Sequence, residues 1–249
     1  PYLDHHRVKG VAVVPVVLVL EWFARAARAA CPELLFVGCR DVKVLKGITL
    51  PEFDGAGDRF EVHARKMSNG VGALYALELR SVSGTRHYMA TAVLEPQRPT
   101  PQPLKAPPQG LGPIRASVYA EDGSGVLFHG EDFRVVRDVQ LGTDGLSALL
   151  VGTHEKHWLP ETWQTDPALL DGGLQLALLW TEHALGRASL PTGLGALHVY
   201  KPGAPAGELR ATLHAREATS AKAVTDVSFV DAGGELVASL EGVETHVLP

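Results

Sequence analysis

Cysteine is nearly absent from this chain: Cys31 and Cys39 are the two present in 249 residues. They form neither a metal-type spacing nor a disulfide framework, which excludes a stapled secreted scaffold and fits a reducing, cytoplasmic setting. Long apolar runs are missing too. The longest, Val11 to Leu20, is too short to span a bilayer, is interrupted by Pro15 and lacks signal-peptide flanks. No run of like charge stands out, and a net charge of −5 argues against a nucleic-acid partner. There is no Gly-x-Ser-x-Gly elbow for Ser-His-Asp catalysis. His154-Glu155-Lys156-His157 lacks the spacing that places two zinc ligands on one helix face, so no metal site is expected. What is present is 45% hydrophobic content, enough for one sizeable core or two small halves.

The first half opens with His5 and His6, a turn at Gly10 and a short apolar segment, Val11 to Val14. From Pro15 to Ala30 the pattern is helical, with Arg25 and Arg28 late and Cys31-Pro32 as its stop. β-Branched residues crowd its first turn, so burial rather than propensity must hold it. Glu21 reads as a surface residue or a partner for Arg25, and Trp22 and Trp180 read as core. Strand-like pieces follow at Leu35–Val37, Asp41–Leu45, Ile48–Leu50, Arg59–Met67, Ala73–Ser81 and His87–Leu94. Prolines 99, 101, 103, 107 and 108 then mark an extended linker. Expected boundaries are 1–97 for the first unit, 98–113 for the linker and 114–249 for the second unit.

In the second half, strand signals at Ser117–Tyr119, Phe133–Leu141 and Ala148–Val151 precede a second helix, and four more strands follow it between Ala196 and Val247. This helix has Asp166 as N-cap, Pro167 as first residue and Gly186 as stop. It is apolar on nearly all sides yet holds Asp171, with Gln175 one turn later. A carboxylate in apolar surroundings must be paired or held protonated. Gly172 and Gly173 each cost a helix about 1 kcal/mol relative to Ala, which suggests that a backbone or a ligand passes close by.

An internal repeat ties the halves together. Val62-His-Ala-Arg65 matches Leu213-His-Ala-Arg216 at an offset of 151 positions, and Pro15 meets Pro167 at nearly the same offset. Each half is one buried helix followed by an antiparallel sheet, an α+β duplication. A twofold pairing can bring His6 from one half and Asp171 from the other into a shared cleft, as a base and an acid for proton transfer.

His6-x-x-x-Gly10-x-x-x-x-Pro15 and Asp171-x-x-x-Gln175 resemble the two signature motifs of polyketide-synthase-type dehydratase domains, which have a double-hotdog fold. Leu127-Phe-His129-Gly130-Glu-Asp-Phe133 resembles the third motif, and the stretch from Leu190-Pro191 to His198 falls at the family's Leu-Pro-initiated strand entry. Tyr2-Leu-x-x-His, Val44-Leu-Lys-Gly47 and Leu-Phe-His-Gly are most similar to dehydratase-like domains of iterative polyunsaturated-fatty-acid or polyketide synthases. The family often has Tyr where His129 stands, Pro where Glu131 stands, His where Asp166 stands and Asp where His5 stands.

The resemblance implies a hydro-lyase that removes water from a β-hydroxyacyl thioester on an acyl carrier protein. His6 takes the α-proton, Asp171 protonates the departing hydroxyl, and Gln175 holds Asp171. The Gly10 amide and the positive end of the first helix meet the thioester carbonyl. Pro15, His129, Gly130 and Phe133 are supporting positions. No metal or organic cofactor is implied. The implied partners are the carrier and neighbouring synthase domains, with the chain a monomer or homodimer. Two alternatives use the same residues differently: enoyl isomerisation or cyclisation by the dyad, and a non-catalytic structural or carrier-docking module.

Overall fold

A computed structural model describes residues 2–114, 118–119, 125–158 and 162–248. In chain order the elements are β1 (Arg7–Val8), β2 (Val11–Ala12), α1 (Val16–Ala30), β3 (Leu35–Val44), β4 (Phe60–Asn69), β5 (Ala73–Ser81) and β6 (Arg86–Glu95). Then come β7 (Gly112–Pro113), β8 (Val136–Leu141), β9 (Gly145–Val151), α2 (Pro167–Leu185), β10 (Ser189–Val199), β11 (Glu208–Ala218), β12 (Lys222–Val230) and β13 (Leu236–Val247). Apart from the β1–β2 hairpin, all strands join one 11-stranded sheet in the order β4-β5-β6-β3-β10-β13-β12-β11-β9-β8-β7.

The duplication is visible in that order. The strands following α1 run β4-β5-β6-β3, and those following α2 run β10-β13-β12-β11, so the two sets mirror each other across the antiparallel β3–β10 joint. This is the double-hotdog arrangement. The repeat is also tighter than the prolines suggest. Pro15 caps α1 and Asp166 caps α2, so the caps themselves lie 151 positions apart. At the joint, Gly38 adopts φ +154, and a Cβ there would stand 1.9 Å from the Leu197 carbonyl oxygen. Only glycine lets the two halves close at that point.

Several expected strands differ in extent. Leu35–Val37 and Asp41–Leu45 merge into β3, whose register shift between Arg40 and Lys43 accommodates Asp41 at φ +54. Ile48–Leu50 is no strand; Thr49 makes a single bridge to Val13. The Phe133–Leu141 piece begins as a 3₁₀ turn, Glu131–Phe133, before β8. Of Ser117–Tyr119, Ser117 lies outside the described residues and Tyr119 makes one bridge to Leu127. The last two residues expected in the linker, Gly112 and Pro113, pair with β8 as β7. The linker also lies against the second half: Lys105 Nζ is 2.9 Å from Asp226 Oδ2, and the Ala106 carbonyl is 2.8 Å from His214 Nε2.

Both helices pack on this sheet and touch each other. Glu21 corrects an expectation. It pairs with Arg25 at 2.8 Å but is fully buried, accepting hydrogen bonds from the Gln164 and Thr165 amides and the Thr165 hydroxyl. In α2 every residue from Pro167 to Thr181 is buried. Six buried leucines, each contributing about 1.5–3 kcal/mol, outweigh the roughly 1 kcal/mol cost of each glycine. The close approach at those glycines comes from sheet side chains rather than a backbone or ligand. A Cβ on Gly173 would meet Phe229 Cζ at 2.5 Å, and one on Gly172 would meet Leu150 Cδ1 at 2.9 Å. Gly173→Ala should therefore overpack the helix–sheet contact and cost about 1–3 kcal/mol in denaturant unfolding.

Asp166 caps α2 by accepting from the Leu169 amide at 3.0 Å and binds the Thr153 amide at 3.0 Å. Burial pushes its carboxyl up to about 6 despite those bonds. A value raised on folding means that the folded state holds the proton more tightly. Stability from this group is full below about 3.8 and is lost as pH rises through about 6. Asp166→Asn keeps a capping oxygen without the charge. The melting temperature of the parent should fall relative to that variant from pH 4 to pH 6.5 and then run parallel to it; a constant difference would refute this.

Candidate functional site

The chain turns at Lys9-Gly10 with φ of +50 and +81, both positive as a type I′ hairpin turn requires. That hairpin folds Val13 back onto His6, with the Val13 amide donating to the His6 carbonyl at 3.0 Å and His6 Nδ1 lying 3.0 Å from the Val13 carbonyl. A carbonyl only accepts, so Nδ1 carries the proton and Nε2 presents its lone pair. His5 points elsewhere and pairs with Asp132 at 2.9 Å, half-exposed.

The stretch from Leu127 to Phe133 packs onto this segment. The Gly130 amide donates to the His5 carbonyl at 2.8 Å, and a Cβ on Gly130 would stand 2.9 Å from that of His5. Glycine is required for the contact. Phe133 is fully buried with its ring 4.9 Å from that of His6. His129 stacks on Phe128 at 4.2 Å, and its ring centre lies 5.3 Å from that of His6.

Asp171 projects from α2 into the same space. Gln175 Nε2 donates to Asp171 Oδ2 at 2.6 Å and to the Phe133 carbonyl at 2.8 Å. The Tyr119 hydroxyl donates to Gln175 Oε1 and accepts from the Val136 amide at 3.0 Å. Since the Phe133 carbonyl can only accept, the Gln175 nitrogen lies on its side of the amide, and that nitrogen also faces Asp171. His129 Nε2 lies 3.5 Å from Asp171 Oδ2. One ring nitrogen from each of His6 and His129 and one Asp171 oxygen lie within 4.8 Å of one another, all buried.

Burial dominates the electrostatics. It pulls the His6 imidazole down to about 4, and drives His129 well below its usual range, helped by the His6 charge. It pushes Asp171 up to about 7 against the opposing Gln175 hydrogen bond. At neutral pH both imidazoles are unprotonated, and the carboxyl keeps its proton in a large fraction of molecules.

The three groups line a cavity of about 390 Å³ whose walls are mainly apolar, including Val13, Val14, Pro15, Val16, Ile48, Leu174 and Leu178. The sequence-derived positions His6, Pro15, His129, Asp171 and Gln175 all line it, and Gly130 and Phe133 pack behind it. Gly10 does not. It is exposed at the hairpin turn with open space around it, so its amide is not at the cavity wall; its φ shapes the turn that presents His6. Tyr119 was missed as a site residue, because nothing in its neighbourhood marks a lone tyrosine as the partner of a glutamine 56 positions away.

A family model described as the polyketide synthase dehydratase N-terminal domain matches residues 96–249. One polyunsaturated fatty acid synthase polypeptide, from Thraustochytrium sp., is 24% identical over 225 residues, covering 81% of this chain. The chain spans 7% of that relative's length. Among solved structures, a dehydratase domain of a trans-AT polyketide synthase from Brevibacillus brevis superposes with a TM-score of 0.77 at 19% identity, covering 100% of this chain and 90% of that one. The bifunctional dehydratase-cyclase domain of ambruticin biosynthesis gives 0.73 at 19% identity, covering 100% and 88%. The dehydratase domain from the CurK module of curacin polyketide synthase gives 0.72 at 21% identity, also covering 100% and 88%.

Gln175→Leu should test the orienting network. It strands the Tyr119 hydroxyl and one Asp171 oxygen in a buried site, so it should lower the unfolding free energy by about 1–3 kcal/mol relative to the parent. Equal stabilities would remove Gln175 from the network.

Proposed function

We propose that this chain, which belongs to the polyketide synthase dehydratase family, removes water from a β-hydroxyacyl thioester carried on an acyl carrier protein and leaves the α,β-enoyl thioester. The observation that carries this is the meeting of His6 from the first half and Asp171 from the second at one apolar cavity.

The Val13 carbonyl fixes the His6 tautomer, so Nε2 accepts the α-proton as the Cα–H bond breaks. Electrons from that bond form the Cα=Cβ double bond. The Cβ–O bond breaks as the Asp171 carboxyl gives its proton to the hydroxyl, and water leaves. Gln175 holds the carboxyl for that transfer. α1 begins at Val16 beside the cavity without a side-chain cap; the Leu18 amide bonds the Pro15 carbonyl at 3.1 Å, which leaves the Val16 and Val17 amides as the helix's positive end. There they face the thioester carbonyl, where enolate-like charge develops, in place of the Gly10 amide.

The thioester itself acidifies the α-carbon, so the reaction as written uses no metal or organic cofactor. Apolar walls suit an acyl chain, and the carrier and neighbouring synthase domains are the proposed partners. Other support comes from relatives: structures exist of an inactive histidine variant of the CurJ dehydratase and an inactive aspartate variant of the CurK dehydratase.

Incubation with a β-hydroxyacyl carrier protein, followed by mass spectrometry, should show loss of one water. His6→Ala and Asp171→Asn should each lower kcat by about 10²–10⁴-fold with the fold intact. Turnover by both variants equal to the parent's would sink the assignment.

A further inference from the structure

We propose that His6, His129 and Asp171 bind one divalent transition-metal cation of the zinc class, in competition with the acyl substrate. Two imidazoles and one carboxylate are a ligand set suited to zinc, cobalt or nickel rather than to magnesium or calcium, which prefer oxygen. The three candidate ligand atoms lie within 4.8 Å of one another, and all three residues are buried.

Two of the ligands carry the outer hydrogen bonds that orient metal ligands elsewhere. His6 gives its Nδ1 proton to the Val13 carbonyl at 3.0 Å, which leaves Nε2 free as a donor to a metal. Gln175 Nε2 holds one Asp171 oxygen at 2.6 Å. The third ligand is under-used by the protein. His129 Nδ1 is buried with no hydrogen-bond partner among the described residues, and its Nε2 stands 3.5 Å from Asp171, too far for a good hydrogen bond. A buried imidazole so poorly satisfied is unusual, and ligation through Nε2, the nitrogen nearer Asp171, would give the ring a strong contact that it lacks.

Geometry shows which side chain must move. Bonds of about 2.0–2.1 Å in a tetrahedron place donor atoms roughly 3.4 Å apart, so a triangle reaching 4.8 Å must contract. His6 and Asp171 are pinned by their hydrogen bonds, whereas the His129 ring is not pinned by one. Closing the site asks for a shift of the His129 ring against Phe128, on which it stacks at 4.2 Å, and the fourth coordination position would face the cavity that all three residues line. The metal uses the same His6 lone pair and Asp171 oxygen that dehydration uses, so a cation and a reacting acyl chain exclude each other.

The test is titration of the EDTA-treated full chain with Zn²⁺ by calorimetry, and with Co²⁺ by visible absorption. One cation per chain should bind with a dissociation constant of about 1 µM or tighter, and Co²⁺ should show d–d bands without a thiolate charge-transfer band. His129→Phe should weaken binding by roughly 100-fold or more. Circular dichroism and melting report whether that variant folds; should it not, zinc X-ray absorption on the parent must show two imidazole nitrogens and oxygen. Failure of Zn²⁺ to bind, a thiolate band, or binding unchanged in a folded His129→Phe protein overturns the proposal. The dehydratase reading is judged separately, by water loss from the carrier-bound substrate with EDTA-treated protein. Turnover there without Zn²⁺ binding would sink the metal site alone, and Zn²⁺ binding without turnover would sink dehydration alone.

Discussion

The buried carboxylate of Glu21 is the constraint on which the two halves depend. It lies in the second turn of α1, with no exposed surface, and gathers the Gln164 and Thr165 amides, the Thr165 hydroxyl and the Arg25 guanidinium. Burying an ion costs several kcal/mol, and only a full set of hydrogen bonds offsets it. Thr165 immediately precedes the cap of α2. Glu21 therefore fixes where α2 begins relative to α1, and Asp171 lies only five residues beyond that cap. The hydrogen bonds from Gln164 and Thr165 to Glu21 thus tie the start of the helix that carries Asp171 to the helix that follows His6.

Around Asp171 the same logic operates at shorter range. Three groups agree on one orientation of the Gln175 amide: the Tyr119 hydroxyl on its oxygen, and the Phe133 carbonyl and Asp171 on its nitrogen. In a site this dry, a reversed amide would set its oxygen against the Phe133 carbonyl, which can only accept, so the observed orientation is favoured. The carboxyl thus has a fixed direction. Desolvation exceeds the help from Gln175, and the acid is held near 7 rather than near 4. Burial acts on His6 in the opposite sense, which keeps the base unprotonated.

Much of this was legible in the residues. Asp166-Pro167 and Gly186 marked both ends of α2, because caps are local chemistry. The 151-position repeat predicted two helix-on-sheet units, because duplicated strands keep their alternation. What escaped reading was long-range. Glu21 looked like a surface partner of Arg25, since its other partners lie more than 140 positions away. The space demanded by Gly172 and Gly173 was apparent, but not that Leu150 and Phe229 fill it. Gly10 was assigned to the carbonyl through its motif, while its backbone serves a hairpin turn that faces solvent. A motif records which residues recur together and not which atom of each is used.

The repeat also explains why the duplication yields one site instead of two. The 151-position offset carries Asp171 onto Leu20 and Gln175 onto Ala24, both fully buried in α1. It carries His6 onto His157, which is exposed on a turn. The related position therefore has no acid, no glutamine to hold one, and no buried base. Placing a second carboxyl at Leu20 would bury another ion beside Glu21, where the available amides are already used. The helix that anchors the halves and the helix that carries the acid have thus divided their tasks: α1 spends its buried carboxylate on architecture, leaving α2 free to present one to the cavity.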